Sequence, residues 1–138
     1  MFAGISIPRD KQPDLHEFDA VVSNQTMGEI TFNPEKINLF ISERQRIGGL
    51  VGRTLLSLLP KKIVLLNSAF LDWLLENQQL IPESWKKKFT FFAGTVFELN
   101  GNEVIRYLYH GVNGWASSYR WLDRGFHLDS PVAIIEAS

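Results

Sequence analysis

Residues 89–122 read FTFFAGTVFELNGNEVIRYLYHGVNGWASSYRWL, and how they pair decides the fold. Three runs rich in aromatic and β-branched residues, Phe89–Leu99, Glu103–His110 and Trp115–Leu122, are separated by Asn100-Gly101 and by Gly111-Val112-Asn113-Gly114. Pleated strands favour such side chains. Asn and Gly accept the positive φ that tight hairpin turns demand. The punctuation therefore predicts a three-stranded antiparallel meander. Its first turn leaves the register open. A two-residue Asn100-Gly101 loop sets Glu98 opposite Glu103, and like charges directly opposed are unfavourable. A three-residue loop, Leu99-Asn100-Gly101, avoids that pairing. One residue of slip turns every side chain to the other face, so the buried face also stays open.

Upstream, the hydrophobic period is helical. Phe70 with Leu74 and Leu71 with Leu75 are i,i+4 pairs on one face. Asn67 or Ser68 can cap this helix, and Asp72 lies near the positive end of its dipole. It should fade near Leu80. Ile81-Pro82 marks a boundary, and Pro82–Trp85 can open another helical turn. Ile37–Ile41 and Val132–Ile135 read as further strands. Thr54 is expected to cap a short helix through Leu59, stopped by Pro60. Asn33-Pro34 is a turn signal. Residues 1–29, with Pro8 and Pro13, suggest an extended or partly ordered arm in which Val21-Val22 forms a short strand. Residues 30–138 read as a single domain. The expected fold is α+β: a C-terminal three-stranded antiparallel meander packed on one principal helix, with an N-terminal strand and turn segment.

Composition bounds the function. A chain of 138 residues that is 45% hydrophobic builds its own core without a covalent staple. The absence of cysteine excludes disulfides, thiolate zinc sites and a Cys nucleophile, and it tilts the expected compartment to the cytoplasm. Met1–Asp10, broken by Pro8 and charged by Arg9 and Asp10, does not read as a signal peptide. Export as an effector without such a signal stays open. Gly48–Leu66 is the most apolar stretch, but Arg53, Pro60, Lys61 and Lys62 interrupt it, so no membrane span is expected. A net charge of −1 lacks the whole-molecule basic footprint of a duplex nucleic-acid binder.

The segment from about Ile30 to Ser138 resembles a family of small, uncharacterised bacterial proteins. Leu66-Asn67-Ser68-Ala69, Leu71-Asp72, Leu80-Ile81-Pro82-Glu83 with Trp85-Lys86, Phe91–Thr95, Val104–Tyr109 and Tyr119–Leu122 carry the resemblance. In that family the third run looks like a strand of alternating Trp and Tyr, and the chain closes on a Pro-Ala-Ala-like segment. Here Ala93 stands where a Trp is usual, Ser117 interrupts the aromatic alternation, and Pro131-Val132-Ala133 replaces the ending. The resemblance implies one continuous domain and supplies no activity.

Four constellations carry candidate chemistry. On the third run Trp115, Ser117, Tyr119 and Trp121 point one way, with Arg106 or Tyr107 beside them according to register. Aromatic faces near guanidinium groups anchor protein partners and stack on bases or sugars. Large aromatics mostly serve cores, and here they would form a packed sheet face against the Phe70–Leu75 helix. Lys61-Lys62 and Lys86–Lys88 can contact phosphates, though lysines after a helical turn ordinarily complement its dipole in solvent. Gly48, Gly49 and Gly52, followed by Arg53-Thr54, fit neither phosphate-loop nor dinucleotide spacing, and read as a tight turn. His110 with Glu98 or Glu103, and His127 with Asp123 and Asp129, are acid–base sets that need a shared cleft. His16, His110 and His127 show no metal-ligand spacing, so neither a metal nor another cofactor is expected.

These readings favour a non-catalytic module that binds a protein through Trp115, Tyr119, Trp121 and Arg106. Single-stranded nucleic-acid or carbohydrate binding by the same aromatics is the first alternative. A small enzyme with a carboxylate–histidine site is the second. The sequence leaves oligomeric state unread.

Overall fold

A computed structural model describes residues 6–7, 13–25, 30–31, 36–60 and 63–136. Within them the chain runs β1 (Ser6–Ile7), β2 (Ala20–Asn24), β3 (Ile30–Thr31), β4 (Ile37–Phe40), α1 (Glu43–Ile47), β5 (Leu50–Val51), α2 (Gly52–Ser57), β6 (Ile63–Leu65) and α3 (Ser68–Glu76). Two 3₁₀ turns follow, Gln78–Leu80 and Glu83–Trp85, then β7 (Thr90–Leu99), β8 (Asn102–Gly111), β9 (Gly114–Trp121), β10 (Gly125–Phe126) and β11 (Val132–Glu136). The fold is α+β and dominated by its sheet. The Asn33-Pro34 turn and the Lys61-Lys62 pair lie outside the described residues, as does most of the stretch before Pro13.

The expected three strands are a minority of the strands present. The main sheet has seven, ordered β4-β11-β7-β8-β9, with β2 also on β7 and β6 also on β11. β7, β8 and β9 are successive antiparallel neighbours. The β7–β8 turn is the two-residue form: Asn100 and Gly101 take φ of 51° and 80°, and Glu98 does stand opposite Glu103. The repulsion that argued against this register is offset, because the Arg53 guanidinium bonds Glu103 and also Asp123, the latter at 2.9 Å. At the second turn, Gly111 pairs with Gly114, whose φ of 101° only glycine adopts readily.

Both faces of β7 are buried. Phe92 lies under Phe70 of α3, with ring centroids 6.4 Å apart. Phe91, on the other face, lies 4.5 Å from Phe126. Fully burying one Phe contributes about 1.5–3 kcal/mol, and Phe70, Phe91, Phe92, Phe97 and Phe126 are all fully buried. The α3 side forms one apolar cluster with Leu71, Leu74, Ile81, Trp85 and Leu108. The opposite side is built by Leu50, Leu55, Ile105, Leu122 and Phe126. α3 begins as expected: the Asn67 side chain accepts the Phe70 N–H at 3.0 Å.

Two other expectations are corrected. α2 starts at Gly52 behind Val51, with no side-chain cap, and ends at Ser57, so Thr54 is inside it. α1 is an addition to the expected elements, opened by the capping box Ser42-Glu43-Arg44-Gln45, with both reciprocal bonds formed at 2.9 and 3.2 Å. Residues 13–25 are built into the domain: β2 pairs with β7, and Phe18 is buried against Phe97 at 4.4 Å.

Between Phe92 and Phe97, β7 leaves the β8 ladder. Phe92 pairs with Arg106 and Phe97 with Val104, so the four residues 93–96 face the single residue Ile105. The bulge lets β7 cross residues 65–66: Gly94 N–H donates to Leu66 O at 2.9 Å. A Cβ on Gly94 would lie 2.6 Å from Leu65 O and 2.8 Å from Leu66 O. Gly94→Ala is therefore expected to cost about 2 kcal/mol or more, as overpacking against backbone does. Gly48→Ala, which meets open space, should stay within about 0.5 kcal/mol of wild type. Urea unfolding midpoints check both.

Candidate functional site

The register turns Trp115, Ser117, Tyr119 and Trp121 toward the α3 side, opposite His110, Leu108, Arg106 and Val104 respectively. Arg106, not Tyr107, is the strand neighbour of the row. All four row residues are half-buried. Trp115 packs beside the α3 cluster and stands 5.0 Å from the His110 ring. Tyr119 meets the edge of Phe18 at 5.3 Å, and Trp121 joins the same small cluster with Phe97 and Val104. The rings are thus gathered on one side, their inner parts packed and their outer parts reaching solvent. The indole N–H of Trp121 is buried with no partner among the described residues.

Arg106 is only 5% exposed, and its guanidinium makes three side-chain hydrogen bonds. It donates to Ser68 Oγ at 2.7 Å, Asp72 Oδ1 at 2.8 Å and Ser117 Oγ at 3.0 Å. Ser68 and Asp72, four residues apart on α3, present both acceptors from one helix face. The other carboxylate oxygen of Asp72 meets His16 Nε2 at 2.9 Å. His16 has a φ of 51°, in the left-handed region. This chain of contacts ties the segment before β2, helix α3 and strands β8 and β9 together. No sequence signal pointed to the His16–Asp72 pair, since 56 residues separate them.

On the opposite face, Arg120 lies over the rings of Phe91 (4.8 Å), Phe126 (5.0 Å), Tyr107 (5.5 Å) and Phe89 (5.8 Å). It donates to Ser130 Oγ at 2.9 Å. Burial holds its guanidinium below the ordinary arginine value, opposed by the nearby Tyr107 and Asp129. Arg53 moves the other way, raised by its hydrogen bonds to Glu103 and Asp123. A shallow recess of about 230 Å³ at the outer side of β9 is lined by Tyr119, Arg120, Trp121 and Arg124. Arg124 caps it, 5.1 Å over the Trp121 ring.

The remaining candidate residues do not converge. His110 and Glu103 sit on β8 seven residues apart, a separation of roughly 23 Å along a strand, and Glu103 is held by Arg53. Asp123 is likewise paired with Arg53, and Asp129 accepts the Ser130 hydroxyl at 3.0 Å. Lys86 pairs with Glu83 at 2.9 Å and Lys88 donates to Ser84 O at 3.3 Å, while Trp85 beside them is buried in the core. Among the described residues, no group of three or more His, Asp or Glu side chains is placed to hold a metal ion. No helix among them is long and apolar enough to cross a membrane.

Compared with known proteins, the chain matches no protein-family model, and no curated protein or solved structure matches it significantly.

Breaking the Arg106 network at its two ends should have unequal effects. Asp72→Ala leaves a buried guanidinium short of its counter-ion. Removing one partner of a buried pair costs roughly 3–5 kcal/mol, and the 28% exposure of the Asp72 side chain should lower this to about 2–3 kcal/mol. His16→Ala removes only a partly exposed contact and should cost less than about 1 kcal/mol. Chemical denaturation of the two variants checks the order.

Proposed function

We propose that this protein is a non-catalytic protein-binding module of the bacterial cytoplasm, a member of the family that residues 30–138 resemble. A protein partner docks along the outer edge of the C-terminal meander, where Trp115, Tyr119 and Trp121 contact it. The observation that carries this reading is the free edge of β9. Eight residues long, it pairs among the described residues with β8 on one side only. Gly114–Tyr119 holds no charged residue and no proline, the devices that ordinarily blunt an edge strand. An added strand draws affinity from main-chain hydrogen bonds and specificity from the side chains flanking the edge. Half-buried Trp and Tyr offer large rigid contact surfaces there.

In this reading Arg106 is a positioning residue. Held by Ser68 and Asp72, it fixes Ser117 and stands opposite Tyr119, so it keeps the row in place without touching the partner. The cysteine-free composition favours a reducing compartment.

Single-stranded nucleic acid is the second reading, favoured by the recess in which Arg124 stacks on Trp121 beside Tyr119 and Arg120. Its affinity would fall steeply with salt.

Wild-type protein and a Trp115→Ala/Tyr119→Ala variant, immobilised and exposed to lysate of the cells that make it, separate these readings. Proteins retained by the wild type should be lost from the variant while its circular dichroism spectrum is unchanged. Equal recovery on both baits rejects the aromatic edge as the docking element. Oligothymidylate bound at low salt and released at high salt moves the assignment to nucleic acid.

A further inference from the structure

We infer that the partner of the β9 edge is a second copy of this chain: two sheets join by antiparallel pairing of β9 with β9 about a two-fold axis through Ser118. The inference rests on reading β9 as the docking element and names what docks there. Leu122 N–H donates to Glu103 O at 3.0 Å, and Gly114 faces Gly111 across the turn. Backbone direction alternates along a strand, so the even-numbered residues of β9 bond β8. The N–H and C=O groups of Trp115, Ser117, Tyr119 and Trp121 therefore point outward. Their N–H groups have no backbone partner among the described residues, and the only outer carbonyl in use is that of Trp121, which accepts Arg124 N–H at 3.0 Å.

A two-fold axis normal to the sheet keeps like faces together, because both copies present the same patch. Odd residues must then oppose odd residues. With the axis on Ser118, Trp115 stands opposite Trp121 of the partner subunit, and Ser117 opposite Tyr119 of the partner subunit. All four outward-directed residues are paired. Moving the axis to Ser117 or to Tyr119 leaves Trp121 or Trp115 without an opposite number in the strand. The Ser118 register also opposes Arg120 to Ala116 and puts a small neutral residue on the axis, so no like charges meet. An aromatic pair closes each end of the joint. At the other end of the sheet, β4 has four residues and offers no edge of comparable length.

Sedimentation velocity of the full chain across the micromolar range tests this. The wild type should sediment at about twice its monomer mass of 15.8 kDa. Ser118→Glu and Ser118→Lys each bring like charges together on the axis and should weaken the dimer at least tenfold. An equimolar mixture of the two should restore it, since opposite charges then meet. A mixture that stays monomeric while both variants keep the wild-type circular dichroism spectrum overturns the register. Hydrogen exchange followed by NMR gives a readout in the unmodified chain. The Trp115, Ser117 and Tyr119 amides should slow as protein concentration rises, while those of Ala116 and Ser118, already bonded to β8, should not change. Concentration-independent exchange overturns the dimer. A wild type that is monomeric yet retains Trp115- and Tyr119-dependent partners rejects self-pairing and leaves the docking edge standing.

Discussion

Strand β7 must be buried on both faces, and the rest of the molecule is arranged to satisfy that constraint. Phe91 and Phe92 are adjacent in sequence, so they point to opposite sides of the sheet, and neither is exposed. One layer cannot cover both. Helix α3 and the two 3₁₀ turns after it cover the Phe92 side, while α2, β5 and β10 cover the Phe91 side. The lateral neighbours obey the same need, because a fully buried strand must also bond its backbone. β8 bonds one edge of β7, and the other edge is shared by β11 near Phe91 and β2 from Thr95 to Glu98. Gly94, where residues 65–66 cross, is the point at which the two partnerships meet.

Two arginines show two ways of keeping a cation in such a sheet. Arg106 is buried among acceptors, and its charge is met by Asp72. Arg120, on the opposite face of the neighbouring strand, is set among four aromatic rings, the Ser130 hydroxyl and, at 3.4 Å, the Gly125 carbonyl. Ring faces attract cations but solvate them less fully than a carboxylate and water do, in keeping with the lowered affinity of Arg120 for its proton. Arg106 also has an architectural consequence. Through Ser117 it reaches the outermost strand, so the position of the aromatic row depends on a helix roughly forty residues earlier in the chain.

The aromatic row is partly core and partly surface, and this dual character is what makes β9 a candidate docking element. Phe18 and the α3 cluster take the inner parts of Tyr119, Trp121 and Trp115, which fixes their rotamers at little further entropic cost on binding. The backbone edge beside them has no strand partner among the described residues. Rigid rings next to unpaired main-chain groups are the ingredients of strand addition. The acid–base residues lack such convergence, because Arg53 and local turns already occupy Glu103, Asp123 and Asp129.

Local features were legible in the residues: the apolar face of α3 and its cap at Asn67 or Ser68, the three strands and the places of their two turns, β4, β11, and the alternation that puts Trp115, Tyr119 and Trp121 on one side. These rest on period, turn chemistry and capping, which act over a few residues. The rest came from long-range packing. The bulge after Phe92 reverses parity, so Phe92 and Phe97 share a face although five residues apart, and no alternation rule detects that. The choice of Arg106 over Tyr107 needed the β8–β9 register, in which Arg106 stands opposite Tyr119, and the Glu98–Glu103 register needed Arg53, some fifty residues upstream, to offset its repulsion. The His16–Asp72 contact, the crossing at Gly94 and the enlargement of the sheet to seven strands likewise join distant segments. Such contacts are selected by which surfaces remain to be covered once the local elements have formed, and that is a property of the whole packed chain.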